Sequence, residues 1–469
     1  MLQRKFTTYL EEFFSKKTNK ILLVNGARQI GKSYIIRYVG KKMFANYLEI
    51  NLKEDKEGDR LFETAFTTDD LYMRLGNYSN KGLGNADDTL VFLDEIQSYP
   101  HILTMLKFLN QENRYRFVAS GSQLGIALSQ TPSVPIGSIE IKQMYPLDFE
   151  EFLWATGANR QWVDNIRAKF NARESLDEST HNIMLKRFMY YLLIGGLPDA
   201  VNRYLDDRNI LRVRTVHKDI FELYRIDASQ YDQENKLKIR KIYDLIPSYL
   251  ENKKKRIIYK DIENKTGKHF ADYADEFEYL TNSGIALEVI SISNPKFPLK
   301  ESQQKRLVKL YLNDVGLLTN LLYGPNVNAV LQDIKSINLG TVYESVVAQE
   351  LHAHGFPLCY YDNKQNGEVD FLIDDYANLR ALPLEVKSGK DFTKHTALQK
   401  FLSVKDYNIH NAIVFSNNRE VFEKQGITYM PIYYAMFLEH SASDGGDVIL
   451  PELEPLISEH VPYQKATTC

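Results

Sequence analysis

The chain has 469 residues, 44% hydrophobic and 25% charged, with 58 Lys and Arg against 61 Asp and Glu and a formal net charge of -3. That balance excludes a general nucleic-acid coat, and two cysteines, Cys359 and Cys469, exclude a disulfide framework and fit no thiolate metal site. The length predicts roughly two to four domains, no stretch approaches the ~18 apolar residues of a membrane span, and a reducing, cytoplasmic setting with no membrane contact is expected.

The opening MLQRKFTTYLEEFFSKK predicts an amphipathic helix and lacks the continuous apolar run of a signal peptide. Ile21 to Val24 predict a short apolar strand. The loop Gly26-Ala27-Arg28-Gln29-Ile30-Gly31-Lys32-Ser33 then meets the phosphate-loop pattern at every fixed position, and Tyr34 to Tyr38 begin an apolar-faced helix. Gly26 and Gly31 let the backbone curl so that its N–H groups turn inward, next to the positive end of the helix. Lys32 can reach the β and γ phosphates of ATP, and Ser33 can place its hydroxyl on Mg²⁺.

Leu90 to Leu93 predict a central strand that ends in Asp94 and Glu95, at the carboxyl edge where α/β sheets bind ligands. Asp94 is the candidate for the Mg²⁺ shell and Glu95 for the base that orients or activates water. Phe117 to Ala119 predict a neighbouring strand, with Ser120 and Ser122 flanking Gly121. Ser122 is the candidate sensor of the γ phosphate or attacking water; an ordinary serine–glycine turn is the alternative.

In order along the chain, GARQIGKS, VFLDEIQ, SGSQ, YPLDFEEFL and GGLPDAV resemble the family of bacterial and archaeal AAA-type ATPases that join this module to a conserved carboxy-terminal domain of unclear role, of the DUF4143 kind. The resemblance covers almost the whole chain. It implies phosphate-loop roles for Lys32 and Ser33, a Walker B pair in Asp94 and Glu95, and a sensor in Ser122. One departure matters: many relatives carry glycine–arginine before the YPL segment, where this chain reads Ile136-Gly137-Ser138. Ser138 cannot supply that charge, so strong hydrolysis is less expected than binding.

The predicted organisation is α/β: a P-loop NTPase (AAA-like) core at 1–145, a helical lid at 146–234, a winged-helix-like module at 235–300, a linker at 301–335, a restriction-endonuclease-like domain at 336–445 and a tail at 446–469. Pro146 is expected to start a lid helix bearing Phe149, Phe152 and Leu153, and Gly195-Gly196 a tight helix junction before Pro198. Arg203 faces either nucleotide or solvent. In the middle module, helix, short helix, longer helix and strand follow in winged-helix order. Lys253, Lys254, Lys255, Arg256 and Lys260 could meet DNA phosphates, but Asp272, Asp275, Glu276 and Glu278 favour a protein-contact or spacer role.

In the last module a helix carrying Glu344 precedes strands in GFPLCYYDN, GEVDFLID and ALPLEVKSGK, then a helix around Thr396 to Val404 and a strand in NAIVFSN. Asp370 followed by Glu385-Val386-Lys387 resembles the core of restriction-endonuclease-like nucleases. Glu385 and Lys387, two apart on a strand, share a face; Asp370, Glu385 and Glu344 could hold Mg²⁺, Glu368 could assist, and Lys387 could offset phosphate charge. A solvated charged rim is the competing reading. For the whole chain, the expectation is an ATPase with ATP and Mg²⁺ as cofactors that controls its carboxy-terminal domain, possibly on DNA. The alternatives are a nucleotide-regulated DNA- or protein-binding module with little turnover and an ATP-gated nuclease. A protein partner and a homo-oligomer stay open.

Overall fold

The computed structural model describes residues 2–16, 18–79, 82–122, 124–125, 137–230, 236–252, 254–331, 339–389 and 391–440. The predicted tail at 446–469, Ile136 and Lys253 lie outside them.

The first sheet holds β1 (Ile21–Asn25), β2 (Asn46–Asn51), β3 (Thr89–Asp94), β4 (Arg116–Gly121) and β5 (Ile139–Gln143). Their order is β2-β3-β4-β1-β5, all parallel. β1 and β3 are buried at every residue, because helices cover both faces of a parallel sheet, and this is why ILLVN and TLVFLD read as unbroken apolar runs. The order brings the carboxyl ends of β1, β4 and β3 side by side. The opening segment forms the helix Lys5–Ser15, which buries Phe6, Leu10, Phe13 and Phe14.

The lid begins later than Pro146. Its helix is Phe149–Ala155, because Asp148 accepts from the Glu151 amide and Glu151 reaches back, a capping box that fixes the start. The helices Glu178–Ile194 and Pro198–Asp207 meet at Gly195-Gly196 as expected, with Pro198 in the first turn. The Gly196 N–H donates to Asp314 at 2.6 Å and its carbonyl accepts from Leu147 at 2.7 Å. A Cβ at Gly196 would run into the Leu147 carbonyl oxygen. Gly196→Ala is therefore expected to cost at least about 2 kcal/mol, since the obstruction is backbone and not a movable side chain. A lowered urea midpoint checks this.

The second sheet has eight strands in the order β12-β13-β11-β10-β9-β8-β6-β7. They are β6 (Ala286–Ile292), β7 (Gln303–Leu312), β8 (Cys359–Asn363), β9 (Gly367–Asp375), β10 (Arg380–Lys387), β11 (Ala412–Ser416), β12 (Phe422–Lys424) and β13 (Ile427–Pro431). β8, β9 and β10 are antiparallel neighbours, whereas β10, β11 and β13 run parallel. The middle module supplies the helix Lys236–Glu251, the short helix Lys260–Glu263, the helix Ala274–Asn282 and the β6–β7 hairpin. Where a linker is expected at 301–335, the structure has β7 and the helix Val315–Tyr323, buried from Val315 to Thr319. β6 pairs with β8, so the hairpin is part of the carboxy-terminal sheet. KRLVKLYL, inside the expected linker, belongs to the edge strand β7, which is buried from Val308 to Leu312.

The helix Gly340–Ala353 is buried from Thr341 through Leu351, which explains its lack of a polar stripe. Glu350 accepts from the Phe149 N–H at 2.8 Å, and Gln349 donates to Tyr191 at 2.8 Å, joining this helix to the lid. One hydrophobic cluster accordingly runs from Phe6 to Leu438. Within it, His217 is fully buried, hydrogen-bonded to the Ile194 carbonyl at 2.9 Å. Burial, with Arg214 nearby, pushes its pKa down to about 3. The unfolded chain binds this proton below about pH 6.5 and the folded chain does not. Stability contributed here is full above pH 6.5 and is lost toward pH 3 at about 1.4 kcal/mol per pH unit. Urea unfolding across that range measures the slope, and His217→Gln should flatten it. Among the described residues no helix is long and apolar enough to cross a membrane.

Candidate functional site

The loop after β1 is shaped by its backbone. Gly26, Gln29 and Gly31 have φ of 150°, 64° and 90°, and Gly31 caps the helix Lys32–Met43. A Cβ at Gly26 would collide with the Met144 carbonyl oxygen, so that position requires glycine for close approach as well as for φ. Lys32 is buried, and its Nζ donates to the Gly26 and Ala27 carbonyls at 2.8 Å each. Burial pulls its pKa down to about 8, against the pull of Glu95 and Asp94. An anion in the loop would offset that burial.

Asp94 ends β3 with both carboxylate oxygens engaged. Oδ2 accepts from Ser33 Oγ at 2.7 Å, and Oδ1 accepts from the Ser120 hydroxyl and the Glu95 N–H. A hydroxyl and a carboxylate side by side form the hard-oxygen pair that suits Mg²⁺ beside phosphate oxygens. Glu95 has a left-handed backbone, φ 53°, and its Oε2 accepts from Gln97 Nε2. Gln97 in turn lies against Gly121, where any Cβ would strike its Oε1. Gln97 and Gly121 therefore position the candidate base, although nothing in VFLDEIQ or SGSQ singles them out for that task.

The two serines of SGSQ separate. Ser120 holds Asp94, while Ser122 accepts from Arg28 Nε at a long 3.4 Å. Arg28 also forms an ion pair with Asp227 of the helix Ile210–Gln230. Ile30 is buried and its carbonyl accepts from Arg4 at 3.2 Å. Arg4 also pairs with Glu151 at 2.9 Å and donates to the Tyr145 carbonyl, tying the phosphate loop to the start of the lid. A cavity of about 400 Å³ opens beside the loop, lined by Leu2, Gln29, Gly31, Tyr34, Pro198 and Asn202 among others. It suits a nucleoside next to the phosphates, and only folding brings Leu2, Tyr34 and Asn202 together. Arg203 is exposed and lines a separate depression next to Gln29.

In the carboxy-terminal sheet, Glu344, Asp370, Glu385 and Lys387 do converge. Burial, then the Glu344 and Glu385 charges, push the Asp370 carboxyl well above the usual range. Burial also raises Glu385, against the pull of Lys387, whose Nζ donates to Glu385 Oε1 at 2.5 Å. Asp370 Oδ2 accepts from the Val386 N–H at 2.8 Å. Glu344 pairs with Lys255 and accepts from Tyr311 at 3.3 Å; Glu368 pairs with buried Lys309 at 2.6 Å. The expected metal set of Glu344, Asp370 and Glu385 needs correction. Among the described residues no group of three or more His, Cys, Asp or Glu side chains is arranged to hold a metal ion. The reason is local: ammonium groups already sit on Glu344 and Glu385, and Asp370 is turned to the backbone.

The same pairing changes the reading of the basic run. Lys255 serves Glu344, and Arg256 serves Asp362 and Glu368, leaving Lys254 and Lys260 exposed.

The first site is a nucleoside-triphosphate site on a parallel sheet. Residues 18–153 match a family described as an AAA domain, residues 185–327 a domain of unknown function, DUF8612, and residues 339–435 a domain of unknown function, DUF4143. The chain thus carries an N-terminal AAA-type P-loop ATPase domain and a C-terminal DUF4143 domain. The middle match runs through the segments read as lid, winged-helix-like module and linker. No curated protein matches. Among solved structures, the chain is similar to the Walker-type ATPase of Pyrococcus abyssi, at 14% identity over 69% of this chain and 96% of that one, with a TM-score of 0.43. It is also similar to the Thermotoga maritima RuvB Holliday junction branch migration motor, at 15% identity over 61% and 89%, with a TM-score of 0.29.

Proposed function

We propose that this chain hydrolyses ATP with Mg²⁺ and uses the nucleotide state to control its carboxy-terminal domain. The observation that carries the reading is the chain of contacts from Ser33 through Asp94 to Ser120, next to Lys32 at the start of a helix. Loop N–H groups and Lys32 would bind the phosphates. Ser33 and Asp94 would hold Mg²⁺, which neutralises charge on the phosphoryl group when bound. Glu95, positioned by Gln97, would take the proton from the attacking water as its oxygen bonds to the γ phosphorus and ADP leaves. Support for control comes from the packing of Glu350 and Gln349 against the lid. Hydrogen exchange across 339–435 tests it: the ATP-loaded and ADP-loaded proteins should differ, and identical exchange would overturn the control.

For the carboxy-terminal domain the favoured reading is a restriction-endonuclease-like fold that acts as a DNA- or protein-binding platform without cleavage. The helix before β8, β9 and β10, the helix Thr396–Leu402 and parallel β11 support the fold. The Lys255–Glu344 and Lys387–Glu385 pairs support the loss of a metal centre. The order of helices before the β6–β7 hairpin similarly supports a winged-helix-like middle module. Incubation with Mg²⁺ and single-stranded or duplex DNA should leave the DNA intact; cleavage abolished by Asp370→Ala would refute the platform reading.

A further inference from the structure

The phosphate loop contains a second cation besides Lys32, and the fold gives it a displaceable partner. Arg28 stands third in the loop. Its Nη1 pairs with Asp227, its Nε donates to Ser122, and its carbonyl accepts from Tyr224 at 2.8 Å. Asp227 and Tyr224 belong to the helix Ile210–Gln230, 199 residues away for the ion pair. Asp227 is about 8% exposed, and Glu95 is among the charges acting on it. Arg28 acts on Lys32 in the same way, so the two cations share one small region with the two carboxylates.

An ion pair between a guanidinium and a carboxylate is a natural competitor for a phosphate. Guanidinium binds both in the same two-pronged geometry, and a terminal phosphate carries more charge than a carboxylate. ATP would bring a γ phosphate into this region, whereas ADP would end at the β phosphate held by Lys32. Ser138, at the position where an arginine is expected, supplies no charge of its own.

We propose that Arg28 is a γ-phosphate ligand supplied in cis, held by Asp227 in the nucleotide-free protein and handed from that carboxylate to ATP. This inference rests on the ATPase reading and deepens it by assigning the residue that tells ATP from ADP. The exchange also gives ATP a route outward. Once Arg28 leaves, Asp227 faces Glu95 and the phosphate without its cation, and its helix loses a tether to the loop. That helix is bonded onward, because Tyr279 donates to the Asp227 carbonyl at 2.9 Å and Gly284 lies against the Ala27 backbone. The middle module therefore touches Asp227 and the residue next to Arg28 in the loop.

The test is calorimetric titration with ATP, with a nonhydrolysable ATP analogue and with ADP, each with Mg²⁺. Arg28→Ala should weaken ATP and the analogue on the order of 100-fold, as for loss of one charged donor, and change ADP by less than about threefold. Arg28→Lys keeps the charge and should recover part of the loss. Asp227→Asn should tighten ATP several-fold at constant ADP affinity, and should have no such effect in the Arg28→Ala background. Thermal melting of each variant establishes that it is folded. Equal loss of ATP and ADP affinity in Arg28→Ala, or an unchanged ratio in all variants while wild type binds ATP, overturns this assignment alone. Failure of the wild type to bind ATP overturns the ATPase reading and this one with it.

Discussion

Lys32→Ala is expected to lose ATP affinity by roughly 100-fold or more, about 2.8 kcal/mol, while the protein stays folded. The Lys32 ammonium donates to the Gly26 and Ala27 carbonyls, both in the loop itself. Those bonds hold the side chain over the phosphate position without linking it to any other element. Removing it therefore takes away the phosphate charge more than it disturbs the fold. Calorimetry measures the effect, with Lys32→Met as a companion that retains apolar volume. Affinity within about threefold of wild type in both variants would remove the loop from nucleotide binding.

Glu95→Gln is expected to slow hydrolysis on the order of 100-fold to 1,000-fold and to leave ATP affinity within about threefold, so that the variant accumulates bound ATP. The amide has the shape of the carboxylate and can keep a hydrogen bond with Gln97, but it cannot accept the water proton. Asp94, which carries the contacts to Ser33 and Ser120, is untouched. The loss should therefore appear in kcat and not in binding. Turnover equal to wild type would take the base role from Glu95, and Asp227, whose carboxylate lies near it, would be the next candidate.

What could be read from the sequence was local. GARQIGKS fixes its own backbone through Gly26 and Gly31, and LDE places two carboxylates at a strand end whatever surrounds them, so the phosphate loop and the Asp94–Glu95 pair stand where expected. Glu385 and Lys387 meet for the same reason, two residues apart on one strand. The remainder depends on approach between distant segments. Lys255 reaches Glu344 across 89 residues, and Arg28 reaches Asp227 across 199, and neither pairing has a local signature. A lysine that will neutralise a buried carboxylate looks the same in sequence as one that will face DNA. Ser120 and Ser122 show the same limit at short range: both flank Gly121, but Ser120 lies in β4 and meets Asp94, whereas Ser122 lies past the end of the strand and meets Arg28. The fate of KRLVKLYL was equally hidden, because an edge strand is defined by the partner it finds, here β6.

Single-turnover hydrolysis tests the central claim most directly. Excess wild-type protein is mixed with ATP labelled at the γ phosphate, with Mg²⁺ or with chelator, and released phosphate is followed in time. The account predicts complete release with Mg²⁺, little release with chelator, and little release by Glu95→Gln under either condition. ATP that binds but stays intact with Mg²⁺, or release that Glu95→Gln does not slow, would contradict it.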